Sequence, residues 1–516
     1  MVLIKQCPDL FELIEDEQKQ DSRNKVTYPQ FIKNLKKKYK ISFENFGASS
    51  YTDTKKILVR EMYNEHVQTY SLVPIIFDEI SKRNKTTTFI LQVDNDFKFY
   101  RQFVAVPNAK ELYDKICIPI AYVDGCFIKY RLYDGVLILF VVRTGNGSML
   151  ILAAAWVPCE DGNHMLWWLD CMVDAGFDVE DMVFVCDRGN LTAAAIAYYK
   201  KRGKVITLFY CLEHIIRNCN VQMKLKKDSA EYRELRNILS NCQRSHNWKV
   251  FEMWMLQLED SFAERGRLLA VYLLEGIHPQ NWTFFANRDS IPTSSWIGDF
   301  YNLICYFKGI ELPEDPSTLL KDSLPPGKKH CMYGNARNNM AESAANLAGE
   351  KGLRTKPPSL GIEIVLKTHE EQLETYTKEI KLMVESKSQY TTIGERLYTL
   401  SKLDEMGLSV SDKMLSQEEG TQISSFMVSD ERNHHYRCTV EVDTTTQTKP
   451  KQQCDCVLYE RYHHYCGHLL KSLPMSFENI EGTDFFNKYA PSWSVPSEVL
   501  EMLQKLHKQQ LLIVMI

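Results

Sequence analysis

Between residues 118 and 210 the apolar pattern switches from one period to another, and that switch restricts the fold more than anything else in the chain. An apolar strand pattern over 118–129 is interrupted by Asp124-Gly125. Asp134-Gly135 and Asn146-Gly147 are hairpin turn signals, and they bracket apolar runs at 136–142 and 149–157. Tight turns between short apolar runs predict antiparallel neighbours. The period then becomes helical over 163–175, with Met165, Leu166, Leu169 and Met172 on one side. A short strand over 182–186 ends at Asp187, an Ala-rich helix follows over 191–201, and a last strand over 205–210 ends at Cys211. The predicted order is β-β-β-α-β-α-β, an α/β core with carboxylates where strands end.

The flanking regions divide less sharply. Residues 1–113 read as mainly helical and a possible DNA-binding region, with a helical period over 72–80 and a strand over 86–93. The core's first part spans 114–220, and an all-helical insertion spans 221–331, helical throughout from Glu213 to about Leu274. Residues 332–385 return to the core with helices over 338–349 and 360–383. A helical connector over 386–435, a small cysteine-bearing module over 436–485 and a tail over 486–516 complete the chain. No apolar run approaches the roughly 20 residues of a membrane helix, so no membrane partner is expected. The beginning of the chain has no signal-peptide layout, and 15 cysteines without a scaffold rhythm fit a reducing compartment. A net charge of −4 excludes a uniformly basic nucleic-acid binder. The local basic run Lys33, Lys36, Lys37, Lys38 and Lys40 is a candidate DNA contact but, taken alone, reads better as a solvated helix face.

Three carboxylates stand out. Asp124 sits inside an apolar strand, where a charge is costly unless something compensates it, although a bulge aspartate is the plain alternative. Asp187 ends a strand of an α/β unit, where functional groups collect, or else caps the next helix. Glu342 shares a helix face with Asn339 and Asn346, a polar stripe in an Ala-rich helix that could also be a solvated face. Taken together, the three could hold two Mg²⁺ or Mn²⁺ ions, which demand oxygen ligands.

Near the other end, Cys454-Asp455-Cys456 and Cys466-Gly467-His468 form a C-x-C-x9-C-x-H array. Two close ligand pairs at this distance suit a closed, structural Zn²⁺ site made by Cys454, Cys456, Cys466 and His468, with His463 and His464 as competitors. Cys211 and His214 make a C-x-x-H pair with no obvious further ligands, which favours packing or support of the active site.

The segments around Asp124-Gly125, Cys186-Asp187-Arg188-Gly189, Cys211-Leu212-Glu213-His214 and Asn339-Met340-Ala341-Glu342-Ser343-Ala344-Ala345-Asn346 resemble Mutator-like element (MULE) transposases, in order, across roughly 60–475. The cysteine–histidine array resembles the SWIM-type zinc finger that accompanies that nuclease. The resemblance implies a ribonuclease H-like core with a glutamate-bearing helix, and Asp124, Asp187 and Glu342 as catalytic metal ligands. It further implies DNA cleavage at element ends and strand transfer, DNA as partner, a homo-oligomer on DNA and a nuclear location. A domesticated, non-cleaving transcriptional regulator is the alternative. Cys126 and Cys186 depart from the residues common in the family, and the stretch over 287–329 is longer than usual. Only Cys7 precedes Cys117, so no Cys/His module for end recognition is evident there. Trp248, Trp254 and Trp282 could stack on bases or pack a core.

Overall fold

The computed structural model describes residues 33, 70, 73–82, 85–96, 98–130, 133, 135–227, 229–287, 291–321, 327–329, 332, 339–405, 408–418, 421–429, 435–443, 451–456, 469 and 494–510. The basic run beyond Lys33, the turn residue Asp134, and the pairs His463–His464 and Cys466/His468 lie outside them.

A seven-stranded mixed sheet forms the centre, ordered β1-β2-β5-β4-β3-β6-β7. After α1 (Ala109–Ile116), β3 (Cys117–Phe127), β4 (Val136–Thr144) and β5 (Met149–Val157) make the antiparallel meander that the turn signals predict. Gly147 turns the second hairpin at φ 87°, a conformation that favours a residue without Cβ. The chain then crosses over through α2 (Gly162–Asp174) and α3 (Asn190–Arg202), adding β6 (Val183–Cys186) and β7 (Thr207–Tyr210) parallel to β3.

Two strands extend the sheet beyond β5: β1 (Thr88–Val93) and β2 (Phe99–Ala105). The second departs, in the described part, from the mainly helical reading of 1–113. Tyr100, Arg101 and Gln102 break the apolar alternation there, and the strand is held by pairing with β1 and β5 on either side.

The insertion consists of α4 (Leu212–Met223), α5 (Ala230–Arg244), α6 (Trp248–Gly276) and α7 (Ile297–Lys308). The single helical run expected from Glu213 is broken twice. Ser229 and Asn247 each accept a hydrogen bond from a backbone N–H three residues on, at 3.1 and 3.0 Å, and so start new helices. α6 is itself kinked at Ala263, where φ is 51°. Trp248, Phe251, Trp282, Phe285, Trp296 and Phe300 form a continuous aromatic cluster. Trp248 and Trp282 are buried in it and Trp254 packs against the core, so these side chains are structural and are not presented to bases.

α8 (Asn339–Glu350) and α9 (Pro358–Glu385) return to the sheet. At paired strand positions side chains share a face. Val123, Phe140 and Ala153 point to one side, where Phe140 meets Tyr113, Trp168 and Phe177 at ring separations of 6.2, 6.3 and 5.2 Å. Asp124, Leu139 and Ala154 point to the other, and α8 and α9 cover that side. The β4–β5 register slips at Leu152, and α9 satisfies the displaced backbone. Ile151 N–H donates to Gln372 Oε1 at 3.1 Å, and its carbonyl lies 3.2 Å from His369 Nδ1. α9 crosses Trp156 at Gly361, where an added Cβ would sit 2.2 Å from the indole.

The helical connector expected over 386–435 is corrected too. Among the described residues there, only α10 (Thr392–Glu405) is helical; β8 (Ser409–Glu418) and β9 (Thr421–Ser429) follow, and with β10 (His435–Asp443) and β11 (Lys451–Cys454) they build a four-stranded antiparallel sheet ordered β11-β10-β9-β8. Ser424, Phe426 and Val428 are buried on alternate positions, the period of a strand. The expected tail instead carries α11 (Pro496–Gln510), whose Val499, Leu503 and Leu506 enter the main core beside α1 and α9. Among the described residues no helix is long and apolar enough to cross a membrane.

Candidate metal centre

β3 and β6 run parallel, with Ala121 beside Phe184 and Tyr122 beside Val185. Carried two steps further, that register sets Asp124 beside Asp187, one residue past the end of β6. Parallel partners share a face and adjacent strands lie ~4.8 Å apart. The two carboxylates therefore stand side by side at the carboxyl ends of adjacent parallel strands. Asp187 is not a helix cap: the cap position of α3 is Gly189, with no side-chain capping bond. Gly189 N–H instead donates to Asp187 Oδ1 at 2.9 Å, which orients the carboxylate. An added Cβ at Gly189 would lie 2.9 Å from Asp187 Oδ2, so the close approach depends on glycine.

Glu342 comes from the first turn of α8. Ala341, Ala344 and Ala348 are fully buried, and α8 packs on β3 and β4 through this side of small residues. Glu342, next to Ala341, is half-buried and adds to the charge felt by Asp124. Arg217 of α4 approaches it, Nη2 to Oε1 3.9 Å, in an exposed pair of small energetic weight. Asn339 opens α8, and Asn346 lies on its exposed side.

A fourth carboxylate, Glu160, was not among the residues that the sequence singled out. It follows β5 and precedes α2, and it lies so close to Gly125 that an added Cβ there would meet its Oε2 at 2.5 Å. Burial, then the charge of Asp187, pushes Glu160 above the usual carboxylate range, opposed by a hydrogen bond with Asn190. The signal was present in its position, since Glu160 stands beyond a strand end as Asp187 does.

The four groups act most strongly on Asp124. Burial, then Asp187 and Glu160, and last Glu342 raise its carboxyl to about 7, against a smaller opposing effect of the Gly125 backbone. Desolvation and like charge both disfavour the ionised form, and a divalent cation would relieve both. The carboxylates do not close on a single point. Among the described residues, Cys159, Asp161 and His164 are the donors drawn within 4.8 Å of one another. An oxygen-only donor set is the kind that hard divalent cations take.

Cys211 is buried at the cap of α4, its N–H donating to Cys186 O at 2.8 Å. His214 lies one turn on, and its Nδ1 is buried without a hydrogen-bond partner. Cys211 is thereby held beside the end of β6. Cys454 and Cys456 are both buried in the core of the second sheet. Cys438, directly opposite Cys454 on β10, is a third thiol there, with the two sulfurs 3.4 Å apart. The hydrogen bond with Cys454, then burial, holds the Cys438 thiol far above its usual range. Cys438 lies outside the C-x-C spacing, so the sequence did not single it out beside Cys454.

Compared with known proteins, the chain matches no family model and no curated protein.

Proposed function

We propose that this chain is a metal-dependent DNA transposase of the Mutator-like type, cutting at element ends and joining them to target DNA. The observation that carries the reading is the gathering of Asp124, Asp187, Glu160 and Glu342 on one side of the sheet, where burial and then the neighbouring charges raise Asp124 to about 7. A partly buried set of like charges is unfavourable as structure alone and useful for holding cations. The order of meander, crossover helices and glutamate-bearing helix supports a ribonuclease H-like core, which places metal ligands at adjacent strand ends. In this reading Asp124, Asp187 and Glu342 hold two Mg²⁺ or Mn²⁺ ions, with Glu160 beside them. When bound, such ions would activate the attacking hydroxyl and stabilise the leaving oxygen during displacement at phosphorus. Asp187 is oriented for this by Gly189, and Glu342 by the packed alanine face of α8. Cys454 and Cys456, with Cys466 and His468, would hold a structural Zn²⁺ of the SWIM type in the second sheet. DNA is the partner, and the nucleus the location, that this activity requires.

The test is cleavage of duplex DNA by the purified chain in Mg²⁺ or Mn²⁺, with an element-end duplex compared against an unrelated one. Asp187→Asn and Glu342→Gln preserve shape and should each lower cleavage at least about a hundredfold, the scale seen when a group stabilising transition-state charge is lost. Cleavage unchanged in both variants sinks the assignment. A folded chain that binds element ends but never cuts them supports the regulator instead.

A further inference from the structure

Cys159 and Asp161 flank Glu160 in the turn between β5 and α2, and His164 stands in the first turn of α2. The donor atoms of Cys159, Asp161 and His164 all fall within 4.8 Å of one another. Asp161 caps α2, its Oδ1 accepting from His164 N–H at 2.8 Å. Its other oxygen faces Cys159, with Sγ 3.3 Å from Oδ2. His164 Nδ1 stands 3.5 Å from Asp161 Oδ1.

The helix cap explains Asp161 but not the histidine. The His164 side chain is only 7% exposed. Neither of its ring nitrogens has a hydrogen-bond partner. Leaving a polar group buried and unsatisfied costs ~1–3 kcal/mol, so such a ring calls for a partner. Its contact with Tyr100 is edge-on, at 5.6 Å, and satisfies neither nitrogen. Arg101 is the cation that acts on His164, and it is engaged elsewhere: its Nε donates to Gln92 at 2.6 Å and its guanidinium lies 4.3 Å from the Trp167 ring.

The geometry points to a transition-metal site for Zn²⁺ on Cys159, Asp161 and His164. With Zn–S of ~2.3 Å and Zn–N and Zn–O of ~2.0–2.2 Å, a tetrahedron has S–O and N–O edges of about 3.6 and about 3.4 Å. The observed separations, 3.3 Å from Sγ to Oδ2 and 3.5 Å from Nδ1 to Oδ1, run to the two oxygens of the same carboxylate, so a turn of the Asp161 side chain brings one oxygen towards both edges. A thiolate and a carboxylate balance the charge of the ion, so no net charge is brought into the turn. Sulfur and nitrogen donors select zinc over Mg²⁺, which distinguishes this site from the oxygen-only cradle nearby. Three protein ligands leave one position for water. The bound ion would tie the end of β5 to the start of α2, the turn that also carries Glu160.

The site is independent of the nuclease reading, and the test needs no activity. Cys159 is exposed, so its alkylation by iodoacetamide can be followed in the full chain by mass spectrometry of its own peptide. Zn²⁺ added to ten times its dissociation constant should slow that alkylation about tenfold, whereas Mg²⁺ should not. Asp161→Asn retains a helix cap and removes a charged ligand, and should abolish most of the protection. His164→Gln should do the same where it folds. Equal alkylation with and without Zn²⁺ overturns the site. Protection that survives Asp161→Asn also overturns it, because the thiol alone would then be responding to zinc.

Discussion

Asp124 shows what one charged side chain contributes when its neighbours share its sign. Its carboxyl is raised to about 7 in the folded chain, against an ordinary value of 3.8. A group raised in this way binds its proton more tightly folded than unfolded. The stability it confers is fully present below its ordinary range and is lost as pH rises through about 7. The metal-free chain should therefore melt at progressively lower temperature between about pH 5 and about pH 8, and Asp124→Asn should flatten that slope. Mg²⁺ or Mn²⁺ must displace the proton, so their affinity should climb over the same interval and level off above it, as titration calorimetry would read. A metal affinity independent of pH there would contradict the cradle. At this scale the sequence was informative where a charge stood in an apolar run or at a strand end. Asp124 and Asp187 stood out for that reason, and Glu342 for its polar stripe on an Ala-rich helix. Glu160 did not, because it lies in a short polar turn between Cys159 and Asp161, where an acid needs no explanation until Gly125 is seen against it.

Elements were legible where period and punctuation agreed. The meander could be read from its turn signals, and the crossover helices from their change of period. β2 and β8 were not, since their own residues alternate weakly and hydrogen-bonded neighbours hold them in place. The breaks in the insertion were written in Ser229 and Asn247, two cap residues that a reading of apolar period alone passes over. The docking of α9 onto β5 depends on Gly361, which no periodicity marks. Gly361→Val should force Trp156 and the helix apart and cost about 1–3 kcal/mol, the usual range for overpacking. Chemical denaturation would measure it, and an unchanged midpoint would show that α9 is free to shift.

The described chain has two hydrophobic clusters, one around the seven-stranded sheet and one around the four-stranded sheet. The first includes Val499, Leu503 and Leu506 of α11. No local pattern reveals that return: α11 reads as an ordinary amphipathic helix, and its partners α1 and α9 lie far away in sequence. Thr391 N–H donates to Ser494 O at 2.7 Å, and Gly394 approaches Ser494 so closely that an added Cβ would lie 2.8 Å from its Cβ. The backbone thus leaves for the second sheet and comes back at nearly the same point. That clasp makes the smaller sheet a lobe gripped at both ends, not an appendage. A protease that severs the lobe should yield two fragments that migrate as one species under native conditions and separate only when denatured, because α11 remains seated on the larger body. If the fragments part without denaturant, the clasp is too weak to act as one. The same clasp closes the intervening chain into a loop at its base, so the two ends of the lobe cannot part while α11 stays seated, and any motion of the lobe pivots on that single junction.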